Sequence, residues 1–236
     1  MYSTHPPAPH DHTLVLLSGG LDSAVTLALA RQNTCSKLFT ISFNYKQRHS
    51  KELLLADELS IHYETIHMEL PMPELDFFTG LKATEEVTPG TRFPRGFENL
   101  PGVDRPDIPL LPRTWKPGRN IMFFAFAGAY AWWEGINLLA CGVHQEDQPG
   151  YPDCSELFLR DMEMTLQSGL SYTINIWAPL LNMNKAEIVT LGSKLGVPFK
   201  LTWSCYAGED KPCRKCDACI RRERAFATAG IKDPVK

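Results

Sequence analysis

The chain has 236 residues, of which 44% are hydrophobic, 22% charged and 10% aromatic, a composition that excludes fibrous and intrinsically disordered proteins. Lysine and arginine number 24 against 27 aspartate and glutamate residues, a net charge of −3, and without a long basic stretch this balance disfavours a long nucleic acid as partner. No segment reaches the roughly 18 uninterrupted apolar residues of a membrane span and no secretory leader is recognisable, so we expect a cytoplasmic protein without membrane contact.

Short apolar runs alternate with amphipathic segments from Thr13 onward. Strands are predicted at 13–17, 37–43, 63–70, 136–143 and 173–177, and helices at 22–32, 50–60, 120–133, 156–167 and from 184 to about 196. Because this alternation is typical of parallel sheets, we predict an α/β fold with helices on both faces of the sheet. The helix at 120–133 is predicted to be buried, with its aromatic side chains in the core or in a subunit interface. Asn184 and Glu187 have the spacing of a helix capping box.

The segments without regular patterns divide the chain into a tail, an α/β domain and a C-terminal segment. Residues 1–12 are rich in proline and histidine and are predicted to be a flexible tail, although the three histidines could bind a metal. Nine prolines fall between Pro71 and Pro117, which predicts a lid or a partly disordered loop within an α/β domain at 13–200. Residues 201–236 are predicted to form a separate C-terminal segment that holds four of the seven cysteines.

A glycine-rich turn, Ser18-Gly-Gly-Leu-Asp-Ser23, lies directly between the first predicted strand and the first predicted helix. Exposed N–H groups and the positive end of the helix dipole make such a turn a site for phosphate. Ser18 and Ser23 can add hydroxyl donors, and Asp22 can orient the loop or a magnesium ion. An isolated Ser-Gly-Gly would favour a simple helix N-cap, whereas the complete motif after a buried strand favours a nucleotide site.

This turn resembles the PP-loop signature of the ATP pyrophosphatase superfamily, which has the adenine nucleotide alpha hydrolase-like fold. The resemblance implies that ATP is cleaved to AMP and pyrophosphate. The ATP-binding residues that it implies are Ser18, Gly19, Gly20, Leu21, Asp22 and Ser23. Neither G-x-x-x-x-G-K-[ST] nor G-x-G-x-x-G follows a predicted strand, which disfavours P-loop kinases and dinucleotide dehydrogenases. The implied reaction type is therefore adenylation.

Four cysteines, Cys205, Cys213, Cys216 and Cys219, lie within fifteen residues. Closely spaced thiols of this number match the tetrahedral all-thiolate site of structural zinc, with no coordination position left for catalysis. Basic residues that would offset the thiolate charge lie nearby, at Lys211, Arg214, Lys215 and Arg221. The alternative is a set of reduced thiols with a redox role, for which two cysteines suffice.

Together these motifs resemble the 7-cyano-7-deazaguanine synthase family of queuosine precursor synthesis, from Thr13 to about Arg224. The matching stretches are 18–23, 43–49, 117–120, 150–154, 185–187 and the cysteine cluster. The resemblance implies an ATP-dependent C–N ligase that adenylates the carboxylate of 7-carboxy-7-deazaguanine, forms the amide with ammonia and then dehydrates the amide to the nitrile. It also favours a homodimer, with ATP, Mg²⁺ and Zn²⁺ as the cofactors.

The resemblance further implies roles for individual residues. Asp22, Arg119, Asp147 and Lys185 are the predicted catalytic residues; Phe43 and Asn44 are predicted to bind the adenine of ATP; and Gln47, Arg48, Gly118, Asn120, Tyr151 and Asp153 are predicted to bind substrate. An arginine fork suits phosphate or carboxylate, and an aspartate can accept a proton from an attacking amine. Taken alone, each of these residues would be interpreted as a surface charge or a turn residue.

Two positions depart from the family pattern, which has serine where Pro149 stands and usually arginine where Ser155 stands. Two reactions are therefore expected: a synthase that ends at the nitrile, or a relative that stops at an amide and joins the deazaguanine to another amine, even a protein N-terminus. Three further functions stay open. A tRNA-modifying sulfurtransferase would need a basic face and a further reactive cysteine pair, an amide-forming synthetase would be fed by a glutaminase, and a nucleotide-binding regulator would show no turnover.

Overall fold

A computed structural model describes residues 11–34, 36–45, 50–72, 116, 118–148, 151–207 and 211–235. The strands are β1 (Thr13–Leu16), β2 (Leu38–Asn44), β3 (Ile66–Pro71), β4 (Leu138–Ala140) and β5 (Asn175–Trp177). The helices are α1 (Leu21–Asn33), α2 (Ser50–His62), α3 (Arg119–Glu134), α4 (Glu156–Leu170), α5 (Lys185–Lys194) and α6 (Asp217–Ala229). Most of the predicted tail and lid, together with Gln47, Arg48 and Pro149, lie outside the described residues.

The strands form one parallel sheet in the order β3-β2-β1-β4-β5. The chain therefore adds β2 and β3 on one side of β1, and it then crosses to the other side of β1, where it adds β4 and β5. Ligands of open α/β sheets bind outside the carboxyl ends of the strands at such a reversal of strand order. The glycine-rich turn leaves β1 at this point of the fold.

Hydrophobic cores cover both faces of the sheet, as predicted. Successive residues of a strand point to opposite faces, so Val15 of β1 belongs to one core and Leu14 to the other. The first core also contains residues of α1, α2, α5 and α6, and the second contains residues of α3 and α4. The predicted α/β fold with helices on both faces is thus confirmed.

Helix α3 is only half buried, so the prediction of a buried helix is correct for one face. Phe124, Ala127 and Ala131 face the second core, and Gly128 allows a close approach because a Cβ there would lie 2.6 Å from a methyl carbon of Leu166. The opposite face exposes apolar side chains, and Trp133 is 78% exposed. Composition alone did not distinguish these two faces.

Two other elements differ from the predicted pattern. Strand β3 begins three residues later than predicted because Glu64 adopts a left-handed conformation (φ 53°) that ends the preceding turn. Helix α6 was not predicted, since its sequence is rich in charge and begins inside the cysteine cluster. It packs against α5 and contributes Phe226 to the first core.

The described end of the chain is fixed by a buried ion pair. The guanidinium of Arg222, which is 6% exposed, donates to both carboxylate oxygens of Asp233 at 2.8 and 3.0 Å. The same guanidinium donates to Thr202 Oγ1 at 2.9 Å. Because such a fork is rigid, α6, the last described residues and the segment before Cys205 are held in one arrangement.

Among the described residues, no helix is both long and apolar enough to cross a membrane.

Substituting Asn184 tests the start of α5. Its Oδ1 accepts the N–H groups of Ala186 and Glu187 at 3.0 Å each, and Glu187 reciprocates by accepting the Asn184 N–H at 2.8 Å. We expect Asn184→Ala to lower the free energy of unfolding by about 1 kcal/mol, measured by chemical denaturation. Asn184→Asp retains the acceptor and should stay within about 0.5 kcal/mol of the wild type. Equal stability of all three proteins would contradict the capping role.

Candidate functional site

The turn after β1 is a compact loop held by its own hydroxyl groups. Gly20 N–H donates to Ser18 Oγ at 3.2 Å, and the Ser18 and Ser23 hydroxyls lie 3.1 Å apart. The Ser23 hydroxyl also donates to the Gly20 carbonyl at 3.1 Å. The loop therefore leads directly into the first turn of α1, where helix N–H groups are suited to bind an anion.

Gly19 is the tightest point of this loop. Its φ of 79° is left-handed, and a Cβ there would lie 2.1 Å from the carbonyl oxygen of Glu52 on α2. Gly142, just after β4, shows a second close approach, because its Cβ would lie 2.9 Å from the backbone nitrogen of Ser23. These two glycines bring α2 and the end of β4 into contact with the loop.

A polar cluster flanks the loop on the β4 and β5 side. Lys185, at the start of α5, forms a short ion pair with Asp22, and its Nζ lies 3.2 Å from Nε2 of His144. His144 Nε2 lies 3.2 Å from Asp147 Oδ2. Because His144 Nδ1 accepts the Glu146 N–H at 3.2 Å, the proton of a neutral ring is on Nε2, which donates to Asp147. Three of the predicted catalytic residues thus meet here.

The two carboxylates of this cluster have shifted pKa values of opposite sign. Burial acts to raise the pKa of Asp22, but the charge of Lys185, its hydrogen bond to Asp22 and the nearby His144 ring outweigh burial, and the pKa lies below its usual value. Burial raises the pKa of Asp147, and the nearby Asp22 carboxylate adds to the rise. Asp22 is therefore a permanent carboxylate, whereas Asp147 takes up a proton more readily than an ordinary aspartate.

A second cluster surrounds Arg119 on the β2 side of the loop. Arg119 interacts electrostatically with Tyr45 and Tyr151, and it forms a hydrogen bond with Tyr45. It also faces Glu52, whose carbonyl contacts Gly19; burial raises the pKa of Glu52 to about 8, although Arg119 acts to lower it. At neutral pH Glu52 is therefore largely uncharged, and the positive charge of Arg119 is not cancelled by it.

Two predicted substrate residues, Asn120 and Asp153, contact each other. Asp153 Oδ2 accepts the Asn120 N–H at 3.3 Å, and the Asn120 amide donates to the Asp153 carbonyl at 3.0 Å. Gly118, which precedes α3, has a left-handed φ of 73°. These contacts fix the first turn of α3 and with it the backbone of Arg119. For Asn120 and Asp153, a role with substrate stays a prediction.

The predicted adenine site has its side chains engaged elsewhere. The ring of Phe43 stacks on Phe123 with centroids 4.3 Å apart, and the Asn44 amide donates to Glu69 at 2.8 Å. Leu21 of the loop is 2% exposed and lies in the first core. The contribution of these residues to ATP binding stays a prediction, and the described contacts give their side chains other partners.

The four cysteines of the C-terminal segment meet in space. Their sulfur atoms all lie within 4.8 Å of one another, close to the spacing of about 3.8 Å that follows from tetrahedral Zn–S bonds of about 2.3 Å. Cys205 Sγ accepts N–H groups of Ala207 and Cys213 at 3.4 and 3.2 Å, and Cys213 Sγ accepts the Cys216 N–H at 3.4 Å. Backbone donors of this kind stabilise thiolates, so the residues fit a metal ion.

Sequence reasoning missed two residues of the site. His144 is 3% exposed and lies between Asp22, Asp147 and Lys185, but a histidine in a loop carries no signal of burial. Glu52 has the features of an ordinary acidic residue in the first turn of α2. Only the packing of α2 against the loop, which brings the Glu52 carboxyl near Arg119, reveals that Glu52 faces the site.

The fold and the loop define the class of protein: a parallel α/β protein with a PP-loop between its first strand and first helix. The fold resembles that of NMN synthetase from Francisella tularensis, with a TM-score of 0.53, 15% identity, and coverage of 96% of this chain and 79% of the other. Residues 12–230 match the family described as queuosine biosynthesis protein QueC, and the chain belongs to that family.

Curated relatives agree with this assignment. The chain is 39% identical over 226 residues to a 7-cyano-7-deazaguanine synthase of Aquifex aeolicus (strain VF5), covering 92% of this chain and 97% of the relative. It is 38% identical over 230 residues to one of Laribacter hongkongensis (strain HLHK9), covering 95% and 94%. The predicted family resemblance is confirmed.

Gly19 offers a direct test of the loop. We expect Gly19→Ala to lower the free energy of unfolding by more than about 2 kcal/mol, because a left-handed alanine costs roughly 1–2 kcal/mol before its clash with the α2 backbone is added. Gly20→Ala is the matched control, since Gly20 has an ordinary φ of −79° and its Cβ would meet the Ser18 hydroxyl at 3.2 Å. Denaturant titrations that give equal losses for both variants would contradict this account.

Proposed function

We propose that the protein uses ATP to adenylate the carboxylate of 7-carboxy-7-deazaguanine, that ammonia then displaces AMP to form the amide, and that a second activation followed by dehydration gives 7-cyano-7-deazaguanine. Membership of the QueC family supports the pathway. The observation that carries the chemistry is the phosphate-type loop at the reversal of strand order, with a cationic side chain on each flank, Lys185 and Arg119.

The loop and Lys185 account for the nucleotide half of this reaction. The N–H groups at the start of α1 bind the β- and γ-phosphates, and Lys185 reaches the α-phosphate while remaining close to Asp22. Asp22 Oδ1 is buried and has no hydrogen-bond partner among the described residues, so it is suited to bind Mg²⁺. A magnesium ion bound by Asp22 would neutralise phosphate charge and favour departure of pyrophosphate.

Arg119 and Asp147 account for the part of the reaction that takes place on the deazaguanine and ammonia. Arg119 pairs with the substrate carboxylate and directs its oxygen toward the α-phosphorus, since a guanidinium fork binds a carboxylate with two hydrogen bonds. Asp147, whose pKa is raised by burial, takes a proton from the attacking ammonia and later from the amide nitrogen during dehydration. His144 holds Asp147 in position through the 3.2 Å contact.

The reaction is tested by incubating the protein with ATP, Mg²⁺, 7-carboxy-7-deazaguanine and ammonia, and following products by mass spectrometry. We expect AMP, pyrophosphate, amide and nitrile. Lys185→Met should lower kcat by about 100-fold or more, whereas Lys194→Met, at the exposed end of the same helix, should retain wild-type kcat. Absence of ATP–pyrophosphate exchange in folded wild-type protein would overturn the proposal and favour a nucleotide-binding regulator.

Ser155 favours a second outcome of the same assay, in which the reaction ends at the amide. Ser155 stands where the family usually has arginine, and its Oγ caps α4 by accepting the Phe158 N–H at 3.1 Å. The chain thus has a helix cap where the family resemblance implies a guanidinium. If amide accumulates with ammonia and no nitrile forms, the enzyme instead joins the deazaguanine to a larger amine, such as a protein N-terminus, and amine-containing peptides should then act as acceptors.

Glu52 predicts a dependence on pH. As the pH rises through about 8, Glu52 ionises and competes with the substrate carboxylate for Arg119, so we expect KM for the deazaguanine to rise between pH 7 and 9. Glu52→Gln should keep KM constant over this range. Glu58→Gln, on an exposed position of the same helix, should behave like the wild type. A rise in KM that persists in Glu52→Gln would contradict this assignment.

We further propose that the four-cysteine site binds zinc. The closed set of four sulfur ligands leaves no position for substrate, so the ion is structural. Metal analysis of purified protein should find about one zinc ion per chain. Cys213→Ser should lower this content and the thermal midpoint together, whereas Cys141→Ala, a buried cysteine of the second core, should leave the zinc content unchanged.

A homodimer is proposed from the exposed face of α3. Ile121, Phe126, Trp132 and Trp133 are exposed there, and the adjoining helix α4 exposes Leu157 and Met164. Apolar surface of this kind marks an interface, and a second copy paired about a two-fold axis would cover it with the same surface. Light scattering should show a dimer that Trp133→Arg dissociates, while Ile61→Arg, at an equally exposed position on α2, does not.

A further inference from the structure

Trp203 connects the loop after β1 to the four-cysteine site. Its backbone N–H donates to the carbonyl of Gly19 at 2.9 Å, and its indole Nε1 donates to the carbonyl of Cys205 at 3.0 Å. The side chain is 3% exposed, so both hydrogen bonds are shielded from water. One residue therefore contacts the loop with its backbone and a cysteine of the metal site with its side chain.

On the loop side, this contact holds a glycine that has little freedom to move. Gly19 is left-handed and lies against the backbone of Glu52, and the hydrogen bond from Trp203 holds the carbonyl of Gly19. The neighbouring Gly20 also lies close to Trp203, since a Cβ added to Gly20 would be 3.7 Å from the Trp203 carbonyl oxygen. The conformation that directs the loop N–H groups toward phosphate thus depends on α2 and on Trp203.

On the metal side, Trp203 packs inside a small hydrophobic cluster with Cys205 and Cys219, joined by Leu55 of α2. Lys51 Nζ lies 4.1 Å from the centroid of the indole ring, a cation–π contact that adds to its fixation. Because Cys205 is two residues beyond Trp203 and is the first of the four sulfur ligands, an ion held by the cysteines restrains Trp203 directly.

We propose that the metal at the four cysteines sets the affinity of the loop for nucleotide phosphate, with Trp203 as the positioning residue that couples the two sites. This inference rests on the proposed ATP binding. When the ion is absent, Trp203 and Cys205 lose this restraint, the Gly19 carbonyl loses its fixed donor, and phosphate must order the loop as it binds. Two coupled sites change each other's affinity by the same factor.

The test uses this reciprocity in the wild-type protein. Zinc affinity is measured by equilibrium competition with a chromogenic chelator, with and without α,β-methylene-ATP, and with Mg²⁺ in excess so that the analogue itself does not take up zinc. Binding of the analogue to zinc-loaded and zinc-free protein is measured by calorimetry. We expect the analogue to tighten zinc binding by about tenfold, within the range of roughly 5- to 150-fold for coupled sites, and zinc to tighten analogue binding equally.

A pair of variants locates the coupling. Trp203→Phe removes the indole donor to Cys205 but keeps the backbone donor to Gly19, so the factor should fall to about threefold or less, with the loss appearing as weaker analogue binding to zinc-saturated protein. Trp177→Phe is the matched control, because the indole nitrogen of Trp177 is also buried but has no hydrogen-bond partner among the described residues. It should retain the wild-type factor. Circular dichroism confirms that both variants are folded.

The outcomes separate the two proposals. Analogue that binds zinc-loaded protein without changing its zinc affinity overturns the coupling and leaves the ATP site intact. Analogue that does not bind zinc-loaded, folded protein overturns the ATP site itself, and with it the coupling. A factor that is unchanged in Trp203→Phe, or equally reduced in Trp177→Phe, overturns the role of Trp203.

Discussion

The close contact between Gly19 and the backbone of α2 is the constraint on which the site depends. A Cβ on Gly19 would lie 2.1 Å from the carbonyl oxygen of Glu52, so only glycine fits where the loop after β1 meets α2. From this contact the two flanks of the site follow. Glu52 faces Arg119 on one side, and on the other side α1 presents Asp22 to Lys185.

The two flanks differ in their electrostatic character in a way that suits a two-substrate reaction. Lys185 lies between Asp22 and His144, where its charge is already partly balanced and where a phosphate group adds negative charge to an ordered site. Arg119 lies among tyrosines and a glutamic acid that is uncharged at neutral pH. Its charge, which at neutral pH is opposed by Asp153 but not by Glu52, is therefore suited to an anion that must bind and leave, such as a carboxylate.

The sequence predicted the sheet and the loop because their signals are local. Apolar runs such as Thr13 to Leu17 predict buried parallel strands, and the glycine-rich turn lies directly behind the first of them. The four cysteines are equally local. Asp22 and Lys185 are 163 residues apart, so their contact depends on strand order, and only the family resemblance placed both in one site.

Other features had no local signal. The burial of His144 and the position of Glu52 beside Arg119 arise from packing between elements. The exposed face of α3 is largely apolar like its buried face, so amphipathicity could not separate them. Helix α6 is a further example, since its stability comes from Phe226 and Arg222, which contact residues well before them in the chain.

The pairing of Arg222 with Asp233 has a practical consequence for handling the protein. Asp233 lies three residues before the last residue of the sequence, and its loss would leave a buried guanidinium without its counter-ion, at a cost of about 3–5 kcal/mol. Proteolytic loss of Asp233 during purification would therefore loosen the packing of α6, which carries Cys219.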